Sequence, residues 1–207
     1  GVTSMPVKQV NEATIIEPNH VYLIAPSMVL TMIDGYLRVQ APASHDDRRM
    51  AIDLFLRSLA EAHGDRSVAI VLSGAGADGA VGITRVKELG GIVMAQQPED
   101  ASFSSMPRAA IGTGQVDFVL PVADMPQRLL EMWSNKRRIR TTVEADPDAD
   151  DAIATDNERI LREIMVILRT RTGHDFRQYK RATVLRRIER RMQVGGLSEL
   201  QIGRAHV

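Results

Sequence analysis

Over the first 134 positions, apolar residues fall either into short continuous runs or into helical spacings, and these two periods predict different elements. His20–Ala25 (HVYLIA) and Val29–Val39 (VLTMIDGYLRV) are rich in β-branched and apolar residues, and Asp34-Gly35 is a strong two-residue hairpin turn. From Met50 to Ala62 the apolar residues Ile52, Leu54, Phe55, Leu56 and Leu59 keep a helical spacing, and His63-Gly64-Asp65 then turns the chain. Ser67–Leu72 (SVAIVL) is a continuous apolar run of strand length, the signature of a strand buried on both faces of a parallel sheet. A glycine-rich loop follows from Gly74 to Gly79. It leads into a helix through Val81, Ile83, Val86 and Leu89, closed by Gly90-Gly91, and then into a strand at Ile92–Ala95 (IVMA). Asp117–Leu120 (DFVL) and a helix carrying Leu129, Leu130, Met132 and Trp133 complete the unit. The order strand, loop, helix, strand makes a right-handed parallel crossover the default. The expected fold class is α/β, with a doubly wound, mainly parallel sheet followed by a small all-α domain.

Charge changes the picture beyond residue 134. The net charge of zero conceals segregation: residues 1–134 hold 10 Lys/Arg against 15 Asp/Glu, a net of −5. Lys136, Arg137, Arg138 and Arg140 then add four cations, and Val143 to Asp156 (VEADPDADDAIATD) carries six acids and no base. Too polar to repay its ordering entropy, this stretch reads as a linker, so residues 135–156 form a charged connection. Residues 157–194 hold 11 Lys/Arg against four Asp/Glu, a net of +7, which marks a second unit suited to an acidic partner. Its first helix sets Leu161, Ile164, Met165 and Leu168 on one face, and Gly173-His174 turns the chain. A second helix from about Tyr179 has an apolar face of Val184, Leu185, Ile188 and Met192. On it Arg186, Arg187, Arg190 and Arg191 are turned more outward. The expected organisation is therefore 1–134, a linker at 135–156, a helical domain at 157–201, and a short tail at 202–207.

At 207 residues, 44% hydrophobic and 25% charged, the chain suits one sizeable domain plus a small one. The absence of cysteine excludes disulfides, thiolate catalysis and Cys-based metal sites, and no metal is expected. No apolar run approaches the roughly 20 residues needed to span a bilayer, and the start from Gly1 lacks the shape of a signal peptide. The expected location is the cytoplasm, without direct membrane insertion.

Candidate chemistry concentrates in SGAGADG, Ser73 to Gly79, between a buried strand and a helix, where open α/β sheets collect ligands and catalytic groups. Gly74, Gly76 and Gly79 match G-x-G-x-x-G, which makes a nucleotide-binding α/β domain one alternative. Against it, Asp78 sets a carboxylate where pyrophosphate would bind, and the strand at Ile92–Ala95 ends in Gln96-Gln97 without a ribose-binding acid. Two further roles stay open for Asp78. It caps the helix beginning at Gly79, or it is the third member of a hydrolytic triad that fixes the tautomer of a histidine.

From Met5 to Trp133 the chain resembles the catalytic domain of chemotaxis protein-glutamate methylesterases, the CheB type, over its C-terminal two-thirds. The segments that carry this are EPNHVYLIAPS at Glu17–Ser27, LFLRSLAE at Leu54–Glu61, VLSGAGADGAVGITRVKELGG at Val71–Gly91 and MAQQPEDASFSSMPRAAIGTGQVDFVLP at Met94–Pro121. The resemblance implies hydrolysis of γ-glutamyl methyl esters on transmembrane chemoreceptors by a Ser-His-Asp triad, with Asp78 as the family's catalytic aspartate. Ala75 departs from the bulkier Met or Thr usual there. In the family the serine and histidine precede the segment matched by Thr3–Val7, so only the aspartate is expected here and this polypeptide is expected to be inactive. His20, opening a strand, and His45, preceding a helix, read as surface or capping residues, and Ser73 matches no nucleophile turn.

Leu161–Met192 (LREIMVILRTRTGHDFRQYKRATVLRRIERRM) resembles the N-terminal helical domain of chemotaxis glutamate O-methyltransferases, the CheR type. The resemblance implies that Arg186, Arg187, Arg190 and Arg191 contact the cytoplasmic methylation helices of chemoreceptors. S-adenosylmethionine would belong only to the methyltransferase's cofactor domain, which has no counterpart here, so no cofactor is expected. Nucleic acid is a lesser rival for the basic stripe, since neither aromatic interleaving nor zinc ligands accompany it. The expected whole is a fragment of an esterase–transferase hybrid. A non-enzymatic receptor-binding adaptor is the remaining alternative. Ile202–Val207 (IGRAHV) is the peptide read in frame from a common sequencing adapter, and is expected to be an artefact.

Overall fold

The computed structural model describes residues 3–143 and 151–173, together with residues 184, 185, 187, 188, 191, 192 and 195. The chain divides into two units, Gly1–Met125 and Pro126–Val207.

In the first unit the strands β1 (Val7–Val10), β2 (Thr14–Ile15), β3 (Val21–Ile24), β4 (Val29–Ile33) and β5 (Tyr36–Gln40) come first. The short α1 (His45–Arg49) and α2 (Ala51–His63) follow. The remainder alternates: β6 (Val68–Val71), α3 (Ala80–Glu88), β7 (Ile92–Gln96), α4 (Ser105–Gly112) and β8 (Phe118–Leu120). Strands β6, β7 and β8 form a parallel sheet in that order, with Val68 opposite Ile92 and Met94 opposite Phe118. This is the α/β arrangement that the strand-loop-helix order predicts. The run of β-branched and apolar residues in β7 has its reason in burial: Ile92, Val93, Met94 and Ala95 are all enclosed.

The hairpin also forms as expected. β4 and β5 pair antiparallel around Asp34 (φ 50°) and Gly35 (φ 81°), both left-handed, which matches the twist of the strands they join. Two pairings lie beyond the periodicity: β2 adds to β5 antiparallel, and β1 pairs with β3 in parallel. Both bring together strands of two to four residues, too short for an alternating pattern to stand out. Helix α4 (SMPRAAIG) was not anticipated either, because small residues and Pro107 give it little apolar stripe.

Helix α2 lies between two apolar clusters. One holds Leu56 and Ala60 of α2 with Ala69, Val71, Ile83, Val86, Val93, Ala95 and Ala110, and so joins the sheet to α3 and α4. The other holds Leu30, Met32 and Leu37 of the hairpin with Val10 of β1. Phe55 and Leu59 pack against both, so α2 couples the hairpin to the sheet. Burying each large side chain contributes about 1.5–3 kcal/mol, which makes α2 the element whose displacement would cost most. Ser58 Oγ adds a polar tie by accepting the Met32 N–H at 2.9 Å.

The second unit contains α5 (Met125–Val143) and α6 (Asp151–Thr172). The stretch read as a charged linker is helical through residue 143 and again from Asp151. Helix α6 begins at Asp151, inside that stretch, so a composition that builds no core still includes the start of a helix. Leu161, Ile164, Met165 and Leu168 are half-buried, as the periodicity predicts, and Gly173 (φ 72°) closes the helix with its N–H on the Arg169 carbonyl at 2.9 Å. Val184 and Met192 are buried and helical, while Arg187 and Arg191 are exposed. Arg186, Arg190, His174 and the tail 202–207 lie outside the described residues. Among the described residues no helix is long and apolar enough to cross a membrane.

Candidate active site

The glycine-rich loop leaves the carboxyl end of β6 and is held at both ends. At its start, the Ser73 N–H donates to Gln96 Oε1 at 2.7 Å, and Ser73 Oγ accepts the Phe103 N–H at 2.9 Å. Gly74 exchanges backbone bonds with the same segment, its N–H going to the Phe103 carbonyl and its carbonyl accepting from Met106 N–H. A side chain at Gly74 would collide with the Met106 sulfur, so the Met106 side chain would have to move to admit one. Gln96 is buried at the end of β7 and completes the tie. Its Nε2 donates to the Asp100 carbonyl (3.0 Å) and to Asp100 Oδ2 (2.9 Å), and the same Oδ2 accepts from Val122 N–H at 3.0 Å. These bonds, the Val122 amide first and the Gln96 amide second, hold the Asp100 carboxyl below the usual carboxylate range against a small opposing effect of burial.

At its far end the loop delivers Asp78. Its carboxylate does not cap the helix that starts at Gly79; it caps α2 instead. Oδ2 accepts the Ile52 N–H and Oδ1 the Asp53 N–H, each at 2.9 Å. Helix α2 requires this, because Met50 at its N-cap offers no side-chain acceptor for the orphaned amides. Gly79, the N-cap of α3, is left-handed (φ 97°), which turns Asp78 away from its own helix. A Cβ at Gly79 would also approach Ile52 Cγ2 to 3.0 Å.

Helix α3 is capped in return by α2. Asp53, only 4% exposed, accepts the Gly82 N–H on Oδ1 at 2.6 Å. The two helices therefore exchange carboxylates at their N-termini. Asp53 escaped the reading of the sequence, yet a signal was there: it shares with Leu56 and Ala60 the buried face of α2, where an unpaired acid would be costly.

The other singled-out residues are occupied elsewhere. His20 Nδ1 donates to the Pro18 carbonyl at 2.9 Å, Nε2 lies 3.3 Å from Glu17 Oε2, and the ring stacks on Tyr22. His45 opens α1, which is capped by Ser44 and Asp47 in a reciprocal box. Among the described residues Asp78 is bonded to backbone amides alone, and no three His, Asp or Glu side chains converge as a metal site would need. An ionised carboxylate offers about four lone-pair positions, of which the two amides use two. The remaining two are enough to accept an imidazole N–H, so cap and triad member are compatible roles.

Comparison with known proteins bears on the family of the chain. The sequence profile described as CheB methylesterase matches residues 1–129, and that of the CheR methyltransferase all-alpha domain matches residues 160–201. A protein-glutamate methylesterase/protein-glutamine glutaminase of Pyrococcus abyssi is 34% identical over 136 residues, covering 63% of this chain and 36% of the relative. An uncharacterized 104.1 kDa protein in the hypE 3′ region of Rhodobacter capsulatus is 35% identical over 212 residues, or 96% of this chain and 22% of its own length. The chain thus spans well under half the length of these curated relatives. The crystal structure of the Thermotoga maritima CheB methylesterase catalytic domain superposes with a TM-score of 0.53 at 29% identity, over 60% of this chain and 68% of that one. The chain belongs to the CheB methylesterase family and joins to that region a segment of the CheR all-alpha type.

Proposed function

We propose that Asp78 is the carboxylate of a Ser-His-Asp triad that hydrolyses γ-glutamyl methyl esters on the cytoplasmic methylation helices of chemoreceptors. The observation that carries this is its setting. The carboxylate stands beyond the carboxyl end of a parallel strand, oriented by two backbone N–H groups, with acceptor capacity left for an imidazole. Held in this way, it would select one histidine tautomer and stabilise the imidazolium formed when the serine gives up its proton. By the family resemblance the serine and histidine come from chain outside these 207 residues, and Ser73, His20 and His45 are engaged in local structure. This polypeptide by itself is inactive, because an acid without nucleophile and base only supports catalysis.

The test is methanol release from methylated receptor by the protein that carries this segment, comparing wild type with Asp78→Asn. A loss on the order of 10⁴-fold in kcat, as for the equivalent change in serine proteases, is expected. Undiminished release overturns the reading. For the isolated 207-residue chain no release is expected, and release abolished by Asp78→Asn would refute its inactivity.

The nucleotide alternative has little room. The Gly82 N–H, which a phosphate at the α3 N-terminus would seek, already holds Asp53, and the Gly74 N–H holds Phe103. We infer no cofactor for this chain, with S-adenosylmethionine confined to a methyltransferase domain outside it, and we place its work in the cytoplasm. For the second unit the proposal is receptor recognition through the arginine stripe, of which Arg187 and Arg191 are described and exposed. A salt-sensitive, sequence-independent shift of DNA by residues 157–194, without receptor binding, would reverse it.

A further inference from the structure

One buried ionisable side chain touches the helix ends that orient Asp78 without itself reaching the loop. We propose that Asp53 is a positioning residue for the Asp78 carboxylate, an inference that rests on the esterase reading above. The backbone of Asp53 holds Asp78 through its N–H on Oδ1, while its side chain holds α3 through the Gly82 N–H at 2.6 Å. Only three residues separate Asp78 from Gly82 along the chain, so two hydrogen bonds close a small ring between α2 and α3. The ring matters because the link between Asp78 and α3 runs through left-handed Gly79, and the helix alone does not orient the acid.

The packing leaves the ring no slack. A Cβ at Gly82 would meet Leu56 Cβ at 2.7 Å and the Asp53 Cα and carbonyl oxygen at 3.0 Å. Sliding or tilting α2 against α3 would therefore carry the Ile52 and Asp53 amides away from Asp78. A misplacement of about 1 Å in a catalytic constellation costs on the order of 10²-fold in rate without any change in substrate contacts. Asp53 is 4% exposed and its carboxylate is turned to Gly82, so substrate binding has no direct use for it.

The experiment measures kcat and KM for methyl-ester hydrolysis in the protein that carries this segment, with Asp53→Ala, Asp53→Asn, Asp53→Glu and Asp78→Asn. For Asp53→Ala, kcat falls about 10- to 100-fold while KM stays within about twofold. Asp53→Asn, whose amide oxygen still accepts the Gly82 N–H, recovers most of that loss. Should Asp53→Ala not fold, Asp53→Glu decides: it keeps the charge, moves the acceptor by one methylene, and lowers kcat with KM unchanged. A folded Asp53→Ala or Asp53→Glu with full kcat overturns the positioning role, as does an Asn variant no better than Ala. Full activity in Asp78→Asn would instead sink the esterase reading itself, so the two failures are told apart by which variant keeps its rate.

Discussion

The two units handle charge in opposite ways. In Gly1–Met125 the decisive carboxylates are few, and each is matched to named backbone amides: Asp53 to Gly82, Asp78 to Ile52 and Asp53, and Asp117 to Val93, with Lys87 also on Asp117. In Pro126–Val207 the described arginines of the stripe, Arg187 and Arg191, stand exposed, while Val184 and Met192 are buried. A charge of the first kind acts through where its acceptor oxygens are held. One of the second kind is exposed, and under the proposed receptor recognition would act by sign and number.

The sharpest way to break this contrast is at Gly82. Gly82→Val forces α2 from α3 and severs the Asp53 bond, so unfolding free energy drops by about 3 kcal/mol or more in urea titration. Next is Gln96→Leu. The shape is nearly kept, but the Ser73 N–H loses its acceptor and Asp100 loses its donor, for a loss of about 1–3 kcal/mol by the same measurement. Asp78→Ala removes two caps from α2 and lowers stability by about 1–2 kcal/mol, and faster amide exchange at Ile52 and Asp53 reports the site directly. A stable Asp78→Ala with unchanged exchange would remove the ground for calling this carboxylate fixed.

A smaller effect belongs to His63 in the last turn of α2. Its Nε2 is buried without a hydrogen-bond partner among the described residues, and burial first, then the neighbouring Arg66 charge, push its pKa below the ordinary 6.5. The helix end would favour a cation there, but these two effects prevail. Because the folded pKa is depressed, the unfolded chain binds the proton more readily. Stability is therefore complete above about pH 6.5 and declines as pH falls from there toward the folded value. His63→Gln should flatten the dependence of Tm on pH across that window.

The least effect on folding is expected from Arg187→Glu with Arg191→Glu. Both sites are exposed, and stability should change by no more than about 0.5 kcal/mol. Receptor affinity should nonetheless fall, and more steeply at low salt, as read by titration calorimetry. A large loss of stability here, or an unaffected affinity, would erase the distinction between the two units.

Much of the framework was legible because it follows from local periodicity. The enclosed run of β7, the Asp34-Gly35 turn and the stripe on α6 each report burial or backbone sign within a few residues; β6 departs from its reading as a strand buried on both faces, since Ala69 and Val71 are enclosed but Ile70 is exposed. Helix α4 and the pairs β1–β3 and β2–β5 were not, since their strands and stripes are too short to carry a period. The role of Asp78 was half legible. A capping carboxylate beside glycines was in view, but the amides it caps, Ile52 and Asp53, lie 26 and 25 residues earlier.

What the chain's order of residues determined by itself was the kind of the longer periodic elements, the segregation of charge, and the loop in which the acid stands. The tertiary structure alone decided which helix receives Asp78 and that Asp53 answers it. A carboxylate takes whichever unpaired amides the packing brings within reach, and that distance is set by Gly82 and Leu56 pressing two helices together, far from the loop in sequence.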